Sequence, residues 1–269
     1  MDRMYLEYWG FQVLPFENVP DPRFFFLSKS HEEALTRLIY AGKMRKGGAM
    51  LSGEIGCGKT TLIKVCIQKL SRDEFDIAVI INPKLEPNEF IQEILYQFGL
   101  NEVPQTKVKC LQKLNEKMIE NAKINKETLL IVDEAQLLSE SNLEEIRLLL
   151  NFQLNHRFLL TVMLVGQPEI KEKIKSLQQL DQRIPIKYHL APFSYEDTVR
   201  YIRFRLNKAG KKDNIFSSDA IQKIYDHSKG VPRNINNLCD LSLLLGYSQN
   251  EEIISSTIIE SVINDGALL

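Results

Sequence analysis

The feature that most constrains this chain is eight residues long: "GEIGCGKT", Gly53 to Thr60. It matches G-x-x-x-x-G-K-[ST] in full. "AMLSG" before it has the character of a buried strand, and "KTTLIKVCIQKL" after it has that of a helix. Such a loop functions at a strand–loop–helix junction. Glycines let successive backbone N–H groups turn onto one phosphate, and the following helix aims its positive dipole end at the same charge. The candidate nucleotide-binding residues are therefore Gly53, Glu54, Ile55, Gly56, Cys57, Gly58, Lys59, Thr60 and Thr61. Lys59 is expected to reach the β- and γ-phosphates, and the Thr60 hydroxyl to ligate Mg²⁺. Cys57, inside the loop, is expected to present a thiol that bound nucleotide shields from labelling.

Phosphate binding alone is not hydrolysis, which also needs a metal-side carboxylate and a base. "TLLIVDEAQLL" offers both. Leu129 to Val132 is a continuous apolar run suited to a central parallel strand. Asp133 then falls at the strand's C-terminal end, where open α/β sheets bind ligands. Asp133 is the candidate metal ligand, and Glu134 the candidate that polarises the attacking water; a simple helix cap is the competing reading. "FLLTVMLVGQPEI" predicts a further central strand, with Gln167 at its tip either sensing the γ-phosphate or only occupying a tight turn. "FDIAVIINPKL" and "IPIKYHL" bring the apolar runs to five, separated by helical patterns, which predicts a parallel sheet with crossover helices.

Beyond "HLAPF" only helical patterns follow. Ser194 is placed to cap a helix with Glu196 and Asp197 in its first turn and Arg203, Arg205 and Lys208 near its end. The expected boundary lies near Leu190 to Phe193. That gives an α/β nucleotide-binding domain over 1–191 and a helical lid over 192–269. Lys plus Arg total 34 against 35 Asp plus Glu, so no overall field draws the chain to nucleic acid or an anionic membrane. The four cysteines form no CxxC pair or metal spacing, and no apolar run is long enough to span a bilayer, which predicts a reduced, soluble, cytoplasmic chain.

The succession of P-loop, "DEAQ", "VGQPE", "DQR" and "GVPR" resembles an AAA+ ATPase. "YLEYWGFQVLPFENVPDPRFFFLSKSHEEALTRLIYA", "YIRFRLNKAG" and "GVPRNINNLCDLSLLLG" resemble, more closely, the ExeA/GspA-like group of type II secretion, with an MshM-like short form linked to pilus biogenesis. The resemblance implies a three-layer P-loop NTPase fold with a five-stranded parallel sheet and a lid, ATP with Mg²⁺ as cofactors, and a homo-oligomer. It also implies roles at matching positions: Gln167 as sensor 1, Arg233 as the lid arginine that reads the γ-phosphate, and Asn82 as a holder of the catalytic glutamate. Arg183 matches an arginine finger offered to a neighbouring subunit, with an ordinary surface arginine as the alternative and Arg157 next in line. Phe16 is expected to wall the adenine, with an aromatic core plug as the competing reading.

Implied partners are ATP, further copies of the chain, and a protein of a secretion or pilus machine. That machine would hold the chain peripherally at the inner membrane without insertion. A DNA-binding ATPase of the transposition type is the alternative. Its local support is "KVKCLQKLNEKM", which sets Lys109, Lys113 and Lys117 on one helix face. A nucleotide-gated scaffold without turnover is a third reading, and the Asp133–Glu134 pair argues against it.

Overall fold

The five apolar runs become one five-stranded sheet in the computed structural model, which describes residues 2–154 and 157–266. The strands are β1 (Gly48–Gly53), β2 (Phe75–Ile80), β3 (Glu127–Val132), β4 (Gln153–Leu154), β5 (Arg157–Phe158), β6 (Leu160–Gly166) and β7 (Ile186–Leu190). The sheet runs β2-β3-β6-β1-β7 with every pairing parallel. β4 and β5 form a separate antiparallel hairpin. Strands of two residues carry no readable periodicity, so nothing in the sequence announced them.

The helices are α1 (Asp2–Trp9), α2 (Lys29–Lys43), α3 (Lys59–Lys69), α4 (Pro87–Gln97), α5 (Lys107–Lys123) and α6 (Glu140–Leu149). They continue with α7 (Glu169–Ser176), α8 (Gln178–Asp181), α9 (Tyr195–Lys208), α10 (Ser218–Ser228), α11 (Pro232–Ser248) and α12 (Ser256–Asn264). Among the described residues no helix is long and apolar enough to cross a membrane.

The chain divides into two compact units. The sheet unit comprises Lys29–Gly53 and Lys59–Leu190. Side chains alternate across a strand, so residues of one parity on the central strands meet α4, α5 and α6, while α2 and α3 cover the opposite face. Met50, Ile80, Leu130, Val132, Val162 and Leu164 share one core with Phe90, Ile94, Leu114, Met118 and Ile146. The register sets Ser52 opposite Gly166 and Val132 opposite Leu164, so β1, β3 and β6 end at nearly one level. Parallel pairing thus brings three C-terminal strand tips to one edge.

The helical unit comprises Met1–Ser28, Glu54–Gly58 and Ala191–Leu269. Its core gathers Tyr5, Trp9, Phe11 and Phe16 from the N-terminal segment with Phe193, Tyr201, Phe216 and the aliphatic faces of α9 to α12. The expected 1–191 domain placed these opening residues with the sheet, whereas they group with the helices from Ala191 onward; the first residue of that span and the last three of the expected lid lie outside the described residues. Residues up to Ser28 group with the lid because their rings find apolar partners on the lid helices. Ser194 caps α9 as the sequence predicts, its Oγ accepting the Asp197 N–H at 3.1 Å.

Candidate active site

In the sheet unit, Lys59 opens α3 and is 8% exposed, with its Nζ donating to the Gly53 carbonyl at 2.7 Å. The motif's cation is thereby folded back onto its own loop. One residue on, the Thr60 hydroxyl donates to Asp133 Oδ2 at 2.9 Å, although the two are 73 residues apart. β3 delivers that carboxylate. Its last pairing is continued by the Asp133 N–H, which donates to the Ile80 carbonyl at 2.8 Å. Burial pushes the Asp133 carboxyl above its ordinary value; the Thr60 hydroxyl and the Glu134 N–H oppose that rise by donating to it.

Glu134 adopts a left-handed backbone, φ 51°, and caps the short 3-10 turn Ala135–Leu137. Its Oε2 accepts the Gln136 side-chain amide at 2.6 Å, and Gln136 Oε1 accepts the Gln167 N–H at 3.0 Å. Gln167 is half-buried at the tip of β6. The structure thus brings together Lys59, Thr60, Asp133, Glu134 and Gln167.

In the helical unit the middle of the phosphate loop turns through Gly56 at φ 83°, a left-handed conformation that favours glycine. The Gly56 carbonyl accepts the Arg233 N–H at 3.3 Å, and a Cβ on Gly56 would come within 2.7 Å of Arg233 Cβ. Arg233 stands in the first turn of α11 with its side chain exposed. Glu54 and Ile55 are exposed and Gly58 and Thr61 half-exposed, whereas the Cys57 side chain is fully buried. The Cys57 thiol is thus enclosed rather than presented for labelling.

Other expected positions are placed differently. Phe16 is 2% exposed and packs edge-on against Phe216 with centroids 6.1 Å apart, so its ring is a core plug rather than an open wall for adenine. Asn82 is exposed, and its Oδ1 accepts the Lys84 N–H at 3.3 Å in a local turn. The residue that holds Glu134 is Gln136. Arg183 is half-buried, with Nη1 donating to the Leu150 carbonyl at 3.1 Å. Its own carbonyl lies beside Gly48, the first residue of β1. A six-residue strand, roughly 17 Å long, thus separates its level in the sheet from Gly53, the last residue of β1. Of the three lysines in line on α5, Lys113 pairs with Glu116 at 2.9 Å and Lys117 with Asp76 at 3.0 Å.

A model of the AAA domain matches residues 43–174. General secretion pathway protein A of Aeromonas hydrophila is 37% identical over 254 residues, which cover 93% of this chain and 46% of that protein. The chain is an AAA-type ATPase related to general secretion pathway protein A. It spans under half the length of that relative. The Drosophila origin recognition complex bound to DNA contains a chain of the same fold at TM-score 0.68 and 16% identity, covering 97% of this chain and 64% of that one. An Aeropyrum pernix ORC1 protein in complex with DNA matches at TM-score 0.67 and 15% identity, covering 93% and 69%. A Thermotoga maritima RuvB mutant matches at TM-score 0.55 and 19% identity, covering 89% and 70%. These likenesses establish the fold of this ATPase.

Gln136 and Lys173 carry no functional expectation from the sequence. Gln136 is visible as the last letter of "DEAQ", but its partner Gln167 lies 31 residues away and no spacing rule joins them. Lys173 lies on α7, and its Nζ donates to the carbonyls of both Gln136 and Leu138.

Proposed function

We propose that this ATPase hydrolyses ATP by attack of a water that Glu134 deprotonates, with Lys59 on the β- and γ-phosphates and Mg²⁺ held by Thr60 and Asp133. The approach of Thr60 Oγ1 and Asp133 Oδ2 to 2.9 Å carries the reading. A hydroxyl and a carboxylate are hard oxygen donors, the class that suits Mg²⁺ shared with substrate phosphates. Once bound, the ion supplies charge neutralisation at the phosphate oxygens. Lys59 adds a further positive charge at the same phosphates, and burial at the strand tips strengthens both effects. Glu134 takes the water's proton as the oxygen closes on the γ-phosphorus, and ADP leaves from the opposite side. Gln167 supports the reading by standing one strand away, and Arg233 by holding its backbone on the phosphate loop.

Glu134→Gln tests the chemistry. The amide keeps the size and can still accept a hydrogen bond, so ATP binding measured by calorimetry should stay within about twofold, while turnover drops by ~10²–10⁴. Near-normal turnover would reduce Glu134 to a cap.

We further propose that the subunits act as a homo-oligomer in which Arg183 serves a neighbour, and that the client is a protein of a secretion or pilus machine. The kinship with general secretion pathway protein A supports the client, and the position of Arg183 at the opposite end of β1 from Gly53 supports action in trans. The pairing of Lys113 and Lys117 leaves the DNA alternative with little local support. A titration with duplex DNA should show weak binding with a shallow salt dependence; a steep slope would overturn the protein client, since each neutralised phosphate releases counterions.

A further inference from the structure

We propose that Gln136 is a positioning residue that fixes the Glu134 carboxylate to the tip of β6, so that the base and the Gln167 backbone act as one unit. The inference rests on Glu134 being the base.

The bridge has an unambiguous chemistry. An ionised carboxylate only accepts and a backbone N–H only donates, so the two neighbours of the Gln136 amide dictate which way it points. Its Nε2 faces Glu134 Oε2 at 2.6 Å and its Oε1 faces the Gln167 N–H at 3.0 Å. One carboxylate oxygen is thereby engaged, and the other is assigned in this proposal to the attacking water. Without the bridge, Glu134 would depend on its own rotamers at the head of a turn with a left-handed backbone.

Two independent features fit the same reading. A Cβ on Gly166 would come within 2.6 Å of Gln136 Oε1 and 3.1 Å of the Gln136 backbone nitrogen, so the last residue of β6 leaves the space that the amide fills. From α7, the helix that follows β6, Lys173 Nζ donates to the Leu138 carbonyl at 3.0 Å and to the Gln136 carbonyl as well. Three contacts therefore tie the Glu134 loop to the segment from Gly166 to Lys173. A displacement of the β6 tip is passed to the base through a short polar chain rather than through solvent.

The bridge predicts a rate effect without a binding effect, because the phosphate contacts lie on Lys59 and the loop. Gln136→Leu keeps the bulk and removes both hydrogen bonds. Its kcat should fall by on the order of 10²-fold, the scale of a misplaced catalytic group, with the ATP Kd within twofold and an unchanged melting temperature. Gly166→Ala crowds the amide without removing it and should lower kcat less, with no further loss when combined with Gln136→Leu. In a Glu134→Gln background, Gln136→Leu should cost little more, since the group it positions is already inactive. Wild-type or raised kcat in Gln136→Leu, or the same fold loss with and without Glu134, would overturn the proposal. Full activity in Glu134→Gln alone is a different result, which removes the base and the bridge together.

Discussion

The sheet unit and the helical unit differ in where their polar side chains converge. In the sheet unit one polar cluster, Asn121 with Asp76 and Thr128, sits near the starts of β2 and β3, and another converges where three strands end: Thr60 on Asp133, and Gln136 on Glu134 and Gln167. In the helical unit the polar groups lie inside. Arg205 is 4% exposed, donates to the Glu17 carbonyl at 2.5 Å, and lies over the Phe24 ring with 4.8 Å to its centroid. Burial pulls its guanidinium below the ordinary arginine value. Tyr201 donates to Asn236 at 2.8 Å, and Asn236 to Asn18 at 3.0 Å. Each of these contacts ties the N-terminal segment to a lid helix or one lid helix to another. A buried charge is thus not in itself the mark of a site. At the strand tips the polar groups share an edge suited to phosphate, whereas in the helical unit rings and carbonyls enclose them.

The comparison breaks first if the strand-tip site proves complete within one subunit. With Arg183 acting in trans, ATPase activity per subunit should climb with protein concentration, and Arg183→Ala should abolish the climb, at a cost of ~10³–10⁵ in rate, while ATP still binds. Mixing Arg183→Ala with Lys59→Ala should restore part of the activity, once sizing shows that the two co-assemble. Concentration-independent turnover in the wild type would make the strand tips self-sufficient and Arg183 a structural residue.

Phe16 sharpens the contrast from the other unit. As a core ring, Phe16→Ala should destabilise by about 3–5 kcal/mol in denaturant unfolding and leave the ATP affinity of the folded fraction unchanged. A loss of ATP affinity at full stability would return the ring to the adenine side and blur the division between the units.

The smallest effect concerns the start of α10. Hydrogen bonds from Ser217 and Ser256 hold the Asp219 carboxyl down at about 2, against an ordinary 3.8. A depressed folded value means that the stabilisation is whole above pH 4 and is lost as the pH falls toward 2. Asp219→Asn should therefore flatten the acid limb of the stability curve slightly and leave turnover at neutral pH untouched. An unchanged limb would show that these hydrogen bonds persist in neither protonation state's favour.

Residues close together in the chain determined much of this by themselves. Gly53 to Thr60, the strand ending in Asp133-Glu134, and the alternation of apolar runs with helical patterns are local signals. A parallel sheet has few ways to join such pieces, so the five strands and the residues at their tips were legible. The capping of α9 by Ser194 was legible for the same reason. Tertiary structure decided what depends on partners distant in the chain. Gln136 rather than Asn82 holds Glu134, because β6 brings the Gln167 N–H within reach of the amide. Phe16 is a core ring because residues up to Ser28 close over the lid helices, and Arg205 faces their carbonyls and rings instead of solvent. Of the stripe Lys109, Lys113 and Lys117, the last two meet carboxylates, one of them on β2, and cease to be free. The physical reason is common to these cases. A motif specifies what a side chain offers within its own few residues, whereas its partner is set by packing between segments tens to hundreds of residues apart.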